Sequence, residues 1–197
     1  MNMKRGNVWL VCILLYLSVS ASAQVIKVEN GIASTTCRID GASLGTMHPY
    51  QMAIGIDYWD HSWFDLSSNI GYIAKGSKDK NLPVYKDGEF TPFTTFYHYA
   101  DYLTLNTTFR VKKNIRNETY YIGTGPRIDI KLKDHLLLDN SFNTVLYGLK
   151  CEAGFIYTVN KIQLGLNAAY LPTFNKQIEE VRERTFSFGL SIGYILL

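Results

Sequence analysis

Residues 64–72 read Phe-Asp-Leu-Ser-Ser-Asn-Ile-Gly-Tyr. Every second residue, Phe64, Leu66, Ser68, Ile70 and Tyr72, belongs to a mostly apolar set. Asp65, Ser67, Asn69 and Gly71 between them are small or polar. A strand sends successive side chains to opposite faces, so the stretch reads as a β-strand with one greasy and one wet face. The same split recurs outward in both directions. Leu103, Leu105, Thr107, Phe109 and Val111 oppose Thr104, Asn106, Thr108 and Arg110. Ile122, Thr124, Ile128 and Ile130 oppose Gly123, Gly125, Arg127 and Asp129. Val145, Tyr147, Leu149, Cys151, Ala153, Phe155 and Tyr157 alternate with Gly148, Lys150, Glu152 and Gly154. Further sets begin at Ile162 and Phe186, and Tyr50, Met52, Ile54, Ile56 and Tyr58 face away from Gln51, Gly55 and Asp57. These are seven strands. An eighth, over residues 25–36, is weaker because Asn30 interrupts its apolar face.

A soluble sandwich also alternates, but its wet face usually carries many Lys and Glu, whereas here that face is rich in Gly, Ser, Thr and Asn. Such residues suit the inside of a narrow barrel. Aromatic residues of the apolar face gather at strand ends. Tyr58, Phe64, Phe109, Tyr120, Tyr157 and Tyr194 fall at one rim, and Tyr50, Tyr72, Tyr102, Tyr147, Tyr170 and Phe186 at the other, Tyr102 with polar-face parity. Two such girdles mark the water interfaces of a membrane barrel. Connections at the first rim are short (59–62, 113–118, 160–161), and those at the second are long (76–100, 133–143, 172–184). Short turns are expected in the periplasm and long loops outside, with both termini periplasmic. The expected fold is all-β, an eight-stranded antiparallel up-and-down transmembrane β-barrel of a Gram-negative outer membrane.

Ahead of the strands, Lys4 and Arg5 precede the apolar run VWLVCILLYLSVS and the small residues Ala21-Ser22-Ala23. This order reads as a signal peptide over 1–23, cleaved before Gln24, with one barrel domain over 24–197. Removing Lys4 and Arg5 leaves 18 basic residues against 17 acidic ones, so no basic footprint for nucleic acid is expected. Cys37 and Cys151 lack the close spacing of a metal or redox motif, and their pairing is left open.

Parity points Asp57, Asp65, Arg110, Arg127, Asp129, Lys150 and Glu152 into the lumen. Counting from the strand ends puts Asp57, Asp65 and Arg110 low, Arg127, Lys150 and Glu152 deeper, and Asp129 above them. Unpartnered charges in so narrow a space are costly, so the expectation is a plugged barrel with Arg127 and Glu152 at the centre of a salt-bridged cluster. The segment 76–100 mixes Lys78, Lys80, Lys86, Asp79, Asp87 and Glu89 with Phe90, Phe93, Phe96, Tyr97, His98 and Tyr99. It is a candidate external loop for a protein or glycan ligand. His48, His98 and His135 fall in the same set of loops, which motivates the alternative of a hydrolase acting on lipid A or another outer-leaflet lipid. No phosphate loop or nucleophile motif accompanies them, and no enzyme activity, metal or cofactor is expected.

The stretch WFDLSSNIGYIAKGSK with Tyr72 and Lys75-Gly76, then Tyr102-Leu103-Thr104-Leu105, then Gly125-Pro126, resembles the PorT-like outer-membrane β-barrel family of Bacteroidetes. The closing SFGLSIGY is similar to the terminal signal read by the barrel-assembly machinery. The resemblance implies an outer-membrane barrel in contact with outer-membrane lipid and, from the resemblance alone, a role in secretion or export.

Overall fold

The computed structural model describes residues 23–39, 42–43, 45–86, 89–135, 143–175 and 181–196. The expected signal peptide, apart from Ala23, lies outside them. Nine strands follow in chain order: β1 (Ala23–Ile39), β2 (Ala42–Ser43), β3 (Tyr50–Tyr58), β4 (Phe64–Lys86), β5 (Glu89–Ile115), β6 (Glu118–His135), β7 (Val145–Val159), β8 (Ile162–Tyr170) and β9 (Val181–Ile195). β2 is a two-residue return against the end of β1. The other eight form one antiparallel sheet in sequence order, closed by β1 pairing with β9.

β1, the weakest strand by pattern, is the seam of the barrel. It pairs with β3 from Ala23 to Ile32 and with β9 from Val25 to Ile39. Partners on both edges hold its backbone in place despite the polar Asn30 on its outward face.

Tracing paired residues around the ring from Ala23 passes Tyr58, Leu66, Phe109, Thr124, Cys151, Tyr170 and Phe186 and returns to β1 at Ser34. That is eleven residues along (34 minus 23). One is taken up by the bulge between Ala23 and Val25, leaving a shear of ten. Eight strands with this shear tilt by about 40° around a backbone radius of roughly 8 Å. A radius of that size is spanned by one or two long side chains, so the interior is a space to be filled and not a channel.

The outward face is apolar. Phe188, Leu190 and Ile192 are 63%, 62% and 62% exposed, and Ile122 is 65% exposed. In a sandwich these residues would form the buried core; here they clothe the outside of a closed wall, which excludes the soluble two-sheet alternative. The two aromatic rims stand as expected except for Tyr102. Its polar-face parity decides its place: it is fully buried inside the barrel with Ile73, Leu146 and Leu171.

At the lower rim, where Ala23 lies, the turns are tight. Arg116-Asn117 and Asn160-Lys161 are two-residue connections, and Trp59, Arg116 and Asn160 adopt left-handed φ values of 50°, 55° and 54°. At the other rim the sequence expectation needs correction. The segment 76–100 is a continuation of β4 and β5 into a long hairpin, paired from Gly76↔Tyr99 to Lys86↔Glu89 with bulges on either side of Leu82. Neither face of this hairpin is a continuous apolar stripe, so periodicity gave no sign of it, and Pro83, which has no N–H, lies within the second shift, between Leu82 and Val84. The expected loops 133–143 and 172–184 are likewise shortened by β6 running to His135 and β9 starting at Val181; residues 136–142 and 176–180 lie outside the described set.

Candidate functional site

The lumen holds two charge clusters. The lower is built around Arg110 of β5. Its Nε donates to Glu152 Oε1 at 2.7 Å, and its Nη1 lies 3.4 Å from Asp57 Oδ1. Lys150 Nζ is 2.8 Å from Glu152 Oε2, Lys27 Nζ is 2.9 Å from Asp57 Oδ1, and Lys27 is 3.1 Å from Glu29. Thr108 Oγ1 donates to Glu152 at 2.6 Å, and Lys27 donates to Ser67 at 2.8 Å. Three cations, Lys27, Arg110 and Lys150, therefore balance three anions, Glu29, Asp57 and Glu152. Below them Lys112 pairs with Asp65 at 3.4 Å and with Asp60.

The register explains how strands that are not neighbours reach one another. Arg110 pairs across to Gly123 of β6, and Gly123 pairs across to Glu152 of β7. A Cβ at Gly123 would come within 2.8 Å of Arg110 Cγ, so the missing side chain leaves the lane along which the guanidinium crosses β6. Tyr121 lies beside that lane with its ring 4.4 Å from the Arg110 guanidinium carbon, a cation–π contact. Gly154, paired with Tyr121, provides the floor for the ring.

The upper cluster joins Lys75 to Asp129 at 2.8 Å and to Glu183 at 3.3 Å, and Arg127 to Asp129 at 3.1 Å. Arg127 Nη2 donates to Thr173 Oγ1 at 3.0 Å, and Thr185 donates to Glu183. Among the described residues, two cations here balance two anions. Lys75 and Asp129 are fully buried. Between the clusters is a cavity of about 50 Å³ lined by polar residues such as Glu29, Asn69, Lys150 and Asn167 together with apolar Ile73 and Leu171. It has room for a few water molecules and no more.

All seven lumen residues expected from parity, Asp57, Asp65, Arg110, Arg127, Asp129, Lys150 and Glu152, are buried, but their grouping differs from the expectation. Arg127 is not in the cluster of Glu152. It pairs across to Gly148, four residues up β7 (152 minus 148), a separation of about 13 Å along the strand. Depth counted from strand ends ignored the shear, which lowers Glu152 and Lys150 to the level of Arg110 and leaves Arg127 with Asp129. Five further lumen charges were missed. Lys27 and Glu29 sit on the weak first strand, whose polar face was not read, Lys112 has the parity of Arg110, and Glu183 fell in a presumed loop. Lys75 has the parity of Asp65, so carrying the alternation ten residues further (75 minus 65) would have found it.

At the upper rim Tyr72 donates its hydroxyl to Asp101 Oδ1 at 2.6 Å, and His135 Nε2 lies 3.0 Å from Asp101 Oδ2. The Tyr99 ring stacks on His135 with centroids 4.4 Å apart. Tyr97 is exposed and His98 partly so. Phe90, Phe93 and Phe96 belong to β5 by their backbone, and their side chains lie outside the described set. His48 is exposed and remote in sequence from this group. Among the described residues, no group of three or more His, Cys, Asp and Glu side chains is placed to hold a metal ion. Cys37 is buried inside and Cys151 exposed outside, on opposite faces of the wall, so they form no disulfide.

Closed, eight-stranded and antiparallel, the chain has the fold of small outer-membrane barrels. Two solved structures share it: Neisserial surface protein A (NspA), at 12% identity with a TM-score of 0.59, covering 89% of this chain and 99% of that one; and the outer membrane protein OprG from Pseudomonas aeruginosa, at 13% identity with a TM-score of 0.51, covering 87% and 95%. No family model and no curated protein matches the chain.

Proposed function

We propose that the protein is an integral outer-membrane β-barrel whose lumen is sealed, so that it serves through its surfaces as a structural, binding or secretion-accessory component and not as a pore or enzyme. The observation that carries this reading is the combination of a charge-balanced, buried interior with an apolar outward face. Lipid contacts the belt, the barrel-assembly machinery inserts the chain, and a protein or glycan ligand is met at the β4–β5 hairpin and the tyrosine rim around Asp101. The PorT-like resemblance adds the secretion role. Under the hydrolase alternative, His135 is a histidine with a carboxylate partner, but its hydrogen bond runs to Asp101 and its ring lies under Tyr99, with no serine in either contact. Lipid A mass spectra that differ with and without the protein at native expression would favour that alternative. The proposed reading is tested by membrane fractionation of cells at native expression, together with gel mobility of unheated and boiled samples. Recovery in the outer membrane with a heat-dependent shift is expected; recovery as a soluble periplasmic protein would sink it.

A further inference from the structure

Few polar side chains stand on the outward wall between the girdles, and most are bonded to one another. Tyr58 and Ser68 hydroxyls are 3.0 Å apart, Ser68 and Thr107 are 2.8 Å apart, and Thr124 lies 3.5 Å from Cys151 Sγ. Asn30 differs. It is exposed on the outward face of β1 between Met52 of β3 and Leu190 of β9, and its side chain has no hydrogen-bond partner among the described residues. Its height is the middle of the belt. Four residues below it (30 minus 26), Ile26 pairs with Tyr194 of the lower girdle, and four above (34 minus 30), Ser34 pairs with Phe186 of the upper one.

An amide at the centre of a hydrocarbon layer has no water to bond, and lipid tails bring it neither donor nor acceptor. Lipid is therefore a poor occupant of this position. A carboxamide both donates and accepts, so it is complementary to itself, and a twofold axis sets a residue opposite its own copy. Two barrels side by side touch along a narrow line, so a contact centred on β1 brings the two amides together at its middle. Around them Val28, Ile32, Ile54, Phe188, Leu190 and Ile192 are each more than half exposed and form an apolar ridge for packing.

We propose that the protein is a twofold-symmetric dimer in the membrane, joined through the β9–β1–β3 wall, with Asn30 hydrogen-bonded to the partner subunit's Asn30. The proposal rests on the membrane-spanning reading above. The test uses the mature chain refolded into phosphatidylcholine vesicles, with insertion read by heat-dependent gel mobility and association read by energy transfer between N-terminally labelled copies as lipid is added. Wild type should show transfer that falls with dilution. Asn30→Leu, which adds only apolar surface to the lipid face and so keeps the barrel, should weaken association by about tenfold, whereas Thr124→Val on the opposite wall should not. A wild-type barrel that inserts without energy transfer, or an Asn30→Leu barrel that associates as tightly as wild type, overturns the dimer and leaves the barrel reading standing. Failure of the wild type to insert overturns both.

Discussion

Glu152→Gln keeps the shape of a side chain and deletes one charge from the lower cluster. In the native lumen the Glu152 carboxylate accepts from Arg110 at 2.7 Å and from Thr108 at 2.6 Å, and it lies 2.8 Å from Lys150. Three cations then face two anions in a space that side chains already fill. Each hydrogen bond to the carboxylate falls from charge-assisted to neutral strength, a loss of about 1 kcal/mol apiece, and a buried cation is left without its counter-charge. Together these bring the expected destabilisation to about 3–5 kcal/mol. Urea unfolding in vesicles, followed by gel mobility and by tryptophan emission, measures it. Insertion should survive, because the lipid-facing wall is untouched. Pairing Arg110→Met with Glu152→Leu removes one charge of each sign, so the double variant should lose less than the sum of the single ones, with a coupling of at least about 1.5 kcal/mol. A loss below about 1 kcal/mol for Glu152→Gln would mean that water hydrates these groups separately, and the interlocked lumen would have to be abandoned.

Three other changes probe the same architecture. Gly123→Val puts a branched side chain into the lane of Arg110, 2.8 Å from its Cγ, and should cost about 1–3 kcal/mol by the same assay, whereas Thr124→Val next to it on the outward face should be close to neutral. Arg116→Gly relieves a left-handed backbone position at φ 55° and should stabilise the barrel by about 1 kcal/mol, seen as a higher urea midpoint; a lower midpoint would count against that strain. With the expected signal peptide removed, Trp59 and Trp63 are the remaining tryptophans, and both sit in the exposed β3–β4 turn at the lower rim. Brominated lipids should therefore quench the emission best when the bromine is shallow; strongest quenching by bromine at the chain ends would put that turn in the wrong place.

Period-two alternation was enough to read the wall, because the apolar outside and the polar lumen impose opposite demands on successive residues at every level. It was legible wherever both demands act, from Phe64 to Tyr72 or Phe186 to Tyr194, and it failed above the upper rim. There β4 and β5 continue as a paired hairpin whose sequence carries no continuous apolar stripe on either face. Asn30 weakened the reading of β1 for a related reason: one polar residue breaks a stripe that pairing on both edges preserves. The inward direction of Asp57, Asp65, Arg110, Arg127, Asp129, Lys150 and Glu152 was equally legible, since parity sets it within a recognised strand, whereas Glu183 lay in a segment read as a loop. The partners were not, because which charges meet depends on a shear of ten, a property of the closed ring that no single strand encodes. Gly123 shows the difference. In sequence it is one small residue among several; in the ring it is the gap that joins Arg110 to Glu152.

The central claim is that this wall crosses a bilayer around an interior that does not conduct. Planar-bilayer recording of the refolded mature chain, from a preparation whose heat-dependent mobility shows complete insertion, tests it most directly. The two balanced clusters predict no steady current at any moderate voltage from the unmodified protein. A stable, ohmic open state would contradict the account, because ions would then be passing where Arg110, Glu152, Lys75 and Asp129 are held to fill the lumen.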